Sequence, residues 1–447
     1  VHYTVRQVLD MFSPSNFPFS NPEILSETHK QGGVNFINGI NNVIEDMYRI
    51  QYHLPPVGAE KHQVGKNLAI TPGKVIYQNE LIELIQYEPT TAKVYAEPIL
   101  IIPAWIMKYY ILDLSPHNSL VKYLVGKGHT VFMISWKNPS SADRNLRLED
   151  YLNLGIMNSL DVISKVLPKQ KIHAAGYCLG GTLLMIAAAA MAHHEDDRLK
   201  SITLFAAQVD FREPGELSLF IDQSQISYME DIMWEKGYLD GSQMAWAFSM
   251  LRSNDLIWSR LIHNYLLGKR RPISDLMAWN YDTTRLPFRM HSQYLRSLFL
   301  NNDLVRGQFK VAGRKVSLTD IKVPMFVVST NKDHVSPWRS VYKIHIATRT
   351  DITFLLTTGG HNVGIVNEPG GKRPHSYQML TRKKDTKHSS AGVWLRKAPK
   401  YEGSWWPAWE KWLSDHANDK VAPPTLGNPQ KNVFVLSDAP GTYIYQK

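Results

Sequence analysis

Cys178 is the only cysteine in the 447 residues of the chain, and it stands at the centre of Gly176-Tyr177-Cys178-Leu179-Gly180. The form G-x-C-x-G is that of a nucleophile elbow with cysteine where serine is usual. A sharp strand-to-helix turn forces strained dihedrals on the central residue. The flanking glycines let strand and helix approach, and the helix N-terminus beneath the thiol favours thiolate. The plain alternative is a buried structural cysteine ahead of a small-residue helix. A cysteine nucleophile needs a base and a group that orients the base. In the order nucleophile, acid, histidine, the candidates are Asp333, in Asn331-Lys332-Asp333-His334, and His361, in Gly359-Gly360-His361-Asn362-Val363-Gly364. Asp333 alone reads as an ordinary loop aspartate, and His361 is one of 17 histidines. Their specificity lies in the joint pattern, each residue falling just past an apolar run. Acyl transfer also needs donors for a developing oxyanion. The N–H of Leu179 is one candidate, and the stretch Pro103-Ala104-Trp105-Ile106-Met107-Lys108 offers Trp105 or Ile106 as the other. His334 reads as a helper or, more simply, as a structural neighbour of Asp333.

These residues need a frame that brings distant loops together. Residues 1–95 read as a lead-in region, with a cap at Asn21-Pro22-Glu23, a helical pattern over 34–52 and a hairpin around Asn79. From Pro98 the pattern turns to strand–helix alternation. Apolar runs at 99–102, 131–134, 172–175 and 202–205 are separated by helical stretches at 119–127, 148–167 and 183–192. Short apolar strands between helices predict an α/β fold whose mostly parallel sheet is covered on both faces. The core therefore begins at 96–210. Residues 211–318, rich in Trp, Met, Tyr and Leu at helical spacing, predict a helical cap. Strand signals resume at 323–330 and 352–356, so 319–447 completes the core. Its tail from about 371 reads as turn-rich, with one helix over 405–416.

Composition narrows the function. The 50 basic and 40 acidic residues leave a net charge of +10. That balance fits an anionic surface or a phosphate-bearing substrate as well as nucleic acid. The basic residues are scattered, apart from Lys269-Arg270-Arg271 and Arg382-Lys383-Lys384, so no nucleic-acid partner is expected. A single cysteine excludes an intrachain disulfide and a cysteine-based zinc site, and no metal is expected. The longest apolar run, 183–192, is too short to span a bilayer, so no transmembrane segment is expected. No signal-peptide pattern opens the chain, which begins at Val1 rather than Met. A cytoplasmic enzyme is the expectation.

Several longer segments carry a resemblance. Asn67-Leu68-Ala69 with Thr71-Pro72-Gly73-Lys74-Val75, Tyr109-Tyr110-Ile111-Leu112-Asp113-Leu114 and Ser135-Trp136-Lys137-Asn138-Pro139 are among them. So are residues 176–181, Ala278-Trp279-Asn280 with Asp282, Asp333-His334, Gly360-His361 and Gly403-Ser404-Trp405-Trp406-Pro407. Together they resemble the polyhydroxyalkanoate synthases of the single-component type, from about residue 15 to Lys447. The resemblance implies an α/β-hydrolase fold with a cap insertion, nucleophilic Cys178, general-base His361 and Asp333. It implies transfer of the acyl group of (R)-3-hydroxyacyl-CoA to the enzyme and then to a growing polyester chain. CoA is released and no cofactor is needed, since coenzyme A is part of the substrate and a product. It implies a homodimer on polymer granules in the cytoplasm, and members with more sequence ahead of the position that Val1 occupies. Val363, two residues past His361 on the same loop, is then expected to border the acyl pocket, with a plain packing role as the alternative. Two other classes fit part of the pattern. One is a thioesterase or intracellular depolymerase using the same triad, which would release free acid. The other is a non-catalytic granule scaffold, which would have lost part of the triad.

Overall fold

The computed structural model describes residues 2–52, 54–244, 250, 253, 257–371 and 374–447. The apolar runs become strands of one large sheet: β1 (Gly73–Gln78), β2 (Ile82–Tyr87), β3 (Ile99–Ile102), β4 (Val131–Trp136), β5 (Ile172–Tyr177), β6 (Leu199–Phe205), β7 (Met325–Thr330), β8 (Ile352–Thr357), β9 (Ser376–Arg382), β10 (Lys400–Glu402) and β11 (Ser437–Asp438). The principal helices are α1 (His2–Met11), α2 (Pro22–Gln31), α3 (Val34–Gln51), α4 (Leu120–Gly126), α5 (Asn158–Val166), α6 (Leu179–His193), α7 (Gln223–Lys236), α8 (Phe288–Tyr294) and α9 (Trp406–Asp415).

The strand order is β10-β9-β8-β7-β6-β5-β3-β4-β2-β1-β11. The strands from β4 to β8 run parallel, and the pairs outside them are antiparallel. This is a mostly parallel sheet of α/β-hydrolase type. Parallel strands are buried on both faces, which is why they read as unbroken apolar runs rather than alternations. Register sets the height of each strand end. Ile102 lies opposite Gly176, Tyr177 opposite Phe205, Phe205 opposite Val328, and Thr330 opposite Thr357. The carboxyl ends of β3, β5, β7 and β8 are therefore level, and the loops that come after them open at one edge of the sheet.

The hairpin forms as expected. The Asn79 side chain accepts from the N–H groups of Leu81 (2.9 Å) and Ile82 (2.8 Å). Strand β2 is buried throughout, including Glu83 and Gln86, because C-terminal residues cover it. Glu83 accepts from the N–H groups of Thr442 and Tyr443 at 3.0 Å. Gln86 donates to Thr425 O (3.0 Å) and accepts from Gly427 N (2.8 Å). The buried carboxyl of Asp113 accepts from the hydroxyls of Ser119 (2.7 Å), Thr71 and Tyr87 (3.4 Å). These bonds give a structural role to two of the segments that carry the resemblance. One expectation needs correction: the region after 371 is more than turns. It supplies β9, β10 and a helix at Ala391–Lys397. Strand β9 is half exposed at the sheet's margin, so it lacks the apolar run that marks a central strand.

The chain forms two compact units, Val1–Gln63 with Asp240–Thr283, and Val64–Leu239 with Thr284–Lys447. The second holds the whole sheet. In the first, α2 is capped by Asn21, whose side chain accepts from Glu23 N (2.9 Å) and Ile24 N (3.3 Å). Helix α3 packs against residues 262–266 so closely that a side chain at Gly39 would strike the backbone of Tyr265. The basic run at 269–271 is largely spent inside this unit: Lys269 pairs with Glu27 (2.8 Å) and Arg270 with Asp46 (2.7 Å). The residues expected to cap the sheet, 211–318, divide between the units. Those outside 240–283 include α7 and α8 in the second unit. Among the described residues no helix is long and apolar enough to cross a membrane.

Candidate active site

Cys178 lies between the end of β5 and the start of α6, with φ 51° and ψ −121°. A positive φ in a non-glycine residue costs on the order of 1–3 kcal/mol and persists only where its surroundings enforce it. Here Cys178 N donates to Phe205 O (2.9 Å), while its carbonyl accepts from Gly181 N (2.9 Å) and Thr182 N (3.2 Å). Two glycines make the turn possible. A Cβ at Gly176 would run into the backbone of Gly181, and one at Gly180 into the carbonyls of Ile102 and Pro103. The elbow helix thus rests on the end of β3. Cys178 is 7% exposed.

Asp333 and His361 come from the loops after β7 and β8, and His361 Nδ1 lies 2.7 Å from Asp333 Oδ2. That carboxylate is fully buried and fully used. Its Oδ1 accepts from the N–H groups of Val335 and Ser336, both at 2.8 Å, and its Oδ2 also accepts from Thr330 Oγ1 at 3.3 Å. The imidazole is also near enough to Cys178 to feel its charge. Burial alone would push the imidazole below its ordinary value, but the charges of Asp333 and Cys178 and the bond to Asp333 hold it well above. The structure therefore gathers three distant residues into one site, with His361 hydrogen-bonded to Asp333 and Cys178 close by.

Leu179 follows Cys178 directly, and Trp105 and Ile106 lie in the loop after β3. Leu179 opens α6, so its amide is among the first-turn N–H groups that lack a partner within the helix. Trp105 is buried and Ile106 half-buried in the loop after β3. That loop is fixed from outside: Trp105 O accepts from Thr284 Oγ1 (2.6 Å) and Ile106 O from Thr284 N (3.3 Å). The buried amine of Lys108 donates to the carbonyls of Gln446 (2.7 Å) and Tyr443 (3.2 Å). Trp105 also meets Tyr294 of α8 edge-on at 6.4 Å, and Tyr294 in turn packs on Phe211 and Phe299. Burial and the nearby Cys178 push the Tyr294 hydroxyl well above its ordinary pKa. Tyr294, at the centre of this aromatic cluster, is therefore near enough to Cys178 to feel its charge. His334 is exposed and Val363 half-buried, and the side chain of neither takes part in the His361–Asp333 hydrogen bond.

Sequence reasoning missed the groups that hold the histidine loop. Trp405 Nε1 donates to Gly364 O (2.9 Å) and Trp406 Nε1 to Ile365 O (3.0 Å). Trp409, on the same helix, reaches Thr203 Oγ1 on β6 (3.0 Å). Tyr177 and Tyr294 were missed as well. The only sequence signal for the tryptophans was the run Gly403-Ser404-Trp405-Trp406-Pro407, whose composition does not say what it touches.

Fold and site together define an enzyme of the α/β-hydrolase class, and the family model described as "alpha/beta hydrolase fold" matches residues 97–368. A second model, "Poly-beta-hydroxybutyrate polymerase (PhaC) N-terminus", matches residues 1–124. The poly(3-hydroxyalkanoate) polymerase of Methylorubrum extorquens is 41% identical over 450 residues, covering 100% of this chain and 73% of that protein. The corresponding PhaC subunit of Rhizobium meliloti is 39% identical, covering 99% of this chain and 71% of that one. That of Cupriavidus necator is 35% identical, covering 100% and 76%. The chain belongs to the poly(3-hydroxyalkanoate) polymerase family, acyltransferase-type enzymes.

Proposed function

We propose that the chain polymerises (R)-3-hydroxyacyl-CoA into polyester, releasing CoA through an acyl-Cys178 intermediate. The observation that carries this is the His361–Asp333 hydrogen bond beside Cys178 at level strand ends, in a member of the polymerase family. His361 takes the thiol proton, and the sulfur attacks the thioester carbonyl. The oxyanion is received by the N–H of Leu179 and one from Trp105 or Ile106. The C–S bond to CoA breaks, and CoA leaves with the proton from His361. Next, His361 takes the proton of a 3-hydroxyl, whose oxygen attacks the acyl-Cys178 carbonyl. An ester bond forms and the Cys178 sulfur leaves. Asp333 stabilises the imidazolium in both halves, and no cofactor enters.

An acyl-enzyme built this way must be kept from water, and the aromatic cluster of Trp105, Tyr294 and Phe211 supports that. Val363 and His334 are assigned to the substrate's surroundings, and a homodimer on the surface of cytoplasmic polymer granules is the working assembly. The test is incubation with 3-hydroxybutyryl-CoA while following free CoA, turbidity and free acid. CoA release with rising turbidity is expected. CoA release with stoichiometric free acid would make the chain a thioesterase, and neither signal would favour a scaffold.

A further inference from the structure

The histidine loop is tied on three sides. Asp333 holds the Nδ1 of His361, and Trp405 and Trp406 hold the carbonyls of Gly364 and Ile365. The third tie is to the nucleophile's own strand. Tyr177, the last residue of β5, donates its hydroxyl to Asn362 Oδ1 at 2.5 Å. Its ring also lies against the His361 imidazole, with centroids 5.6 Å apart and planes tilted by 35°. Tyr177 therefore precedes Cys178, and Asn362 follows His361. One side-chain bond joins the neighbours of nucleophile and base.

We infer that Tyr177 and Asn362 are a positioning pair that sets His361 at its working distance from Cys178. This rests on the reading of those two residues as base and nucleophile. The need is physical. Gly359 has φ 112°, a conformation open to glycine, and Gly360 follows it, so the start of the loop has little stiffness of its own. Asp333 fixes one ring nitrogen but leaves the ring free to rock about that bond. A misplacement of a fraction of an ångström at the proton-accepting nitrogen is costly to proton transfer. The Tyr177 ring limits that rocking, and its hydroxyl fixes the next residue. Asn362 suits the task because its backbone is held too: its carbonyl accepts from Ile365 N (3.1 Å) and Val366 N (2.9 Å). Tyr177 is buried, and burial, then the charges of Cys178 and Asp333, keep its hydroxyl protonated and a donor at all working pH values.

The single cysteine makes a clean test. The rate of Cys178 alkylation by iodoacetamide is followed across pH in the wild type, His361→Ala, Tyr177→Phe, Asn362→Ala and the double variant Tyr177→Phe/Asn362→Ala. Steady-state polymerisation is measured alongside. His361→Ala is expected to slow alkylation at neutral pH and displace its pH profile. Tyr177→Phe and Asn362→Ala should each slow it by roughly 3–10-fold and move the profile toward that of His361→Ala. The kcat should fall with KM unchanged, and the double variant should be no slower than either single one, because the two act as one unit. Tyr177→Phe keeps the buried ring, and Asn362 is half-buried, so at least the second variant leaves the fold intact. Profiles for both single variants that overlay the wild type, while His361→Ala shifts, would overturn the pair and leave the base standing. Additive losses in the double variant would also overturn it. A His361→Ala profile that overlays the wild type would remove the base and the pair together.

Discussion

Asp333 has no spare oxygen: one serves two backbone amides and the other serves His361 and Thr330. It is thus both part of its loop's structure and the charge that faces the His361 imidazole. Asp333→Asn keeps most of the shape and removes the charge. Burial, the largest influence on His361, then acts against the imidazole with less opposition, and its pKa falls. The two half-reactions should feel this unequally. A thiol is already a good nucleophile, whereas a 3-hydroxyl needs a base in the transition state. Asp333→Asn should slow elongation by about 10²–10⁴-fold and the first acylation by less. Single-turnover CoA release compared with steady-state polymerisation decides it. Equal losses would show that Asp333 mainly supports thiol activation. At this scale the placement of Cys178, Asp333 and His361 past strand ends was legible, because each follows an apolar run. Cysteine in an elbow, and an acid and a histidine past later strands, admit few substitutes. Tyr177, Tyr294 and Thr284 were not legible, because they act through contacts whose partners lie far along the chain.

At the scale of elements, the histidine loop is held by the indoles of Trp405 and Trp406, both buried, from residues 41 positions away. Trp405→Phe leaves a flat apolar ring but orphans the carbonyl of Gly364. Losing a buried partner in this way costs about 1–3 kcal/mol, and the cost falls on the loop that carries His361. The expected result is a lower urea midpoint together with a reduced kcat. A variant with full turnover and unchanged stability would show that the bond is idle. The central strands were readable as apolar runs because parallel strands are covered on both faces. The start of α6 was not: Gly180 and Gly181 disguise its first turn, and they are there because the helix must rest on the end of β3. Strand β9 stayed hidden because a half-exposed strand beside an antiparallel partner needs no apolar run.

For the molecule as a whole, three buried histidines set its behaviour in acid. His173 and His345 are pushed down to about 3, and His291 to about 4. The largest cause in each case is burial; for His173 and His345 nearby positive groups add to it. The unfolded chain binds these protons near 6.5, the folded chain only far below. Unfolding therefore takes up protons as pH falls below 6.5, and stability drops through that window toward the folded values. The loss by pH 5 should be on the order of 1–2 kcal/mol for each histidine. Urea titrations between neutrality and pH 5 should show the midpoint falling, and His345→Phe should flatten the slope. A midpoint independent of pH would contradict the burial of these side chains as neutral groups.

The claim on which the rest depends is that every acyl group passes through Cys178. Because the chain has a single cysteine, Cys178→Ala can be read without ambiguity. Purified variant and wild type are given 3-hydroxybutyryl-CoA, and CoA release, turbidity and covalent acyl label on the protein are measured together. The account predicts that the wild type releases CoA, carries label and becomes turbid, while a folded Cys178→Ala shows none of the three. Polymer formed by Cys178→Ala at a rate near that of the wild type would contradict it.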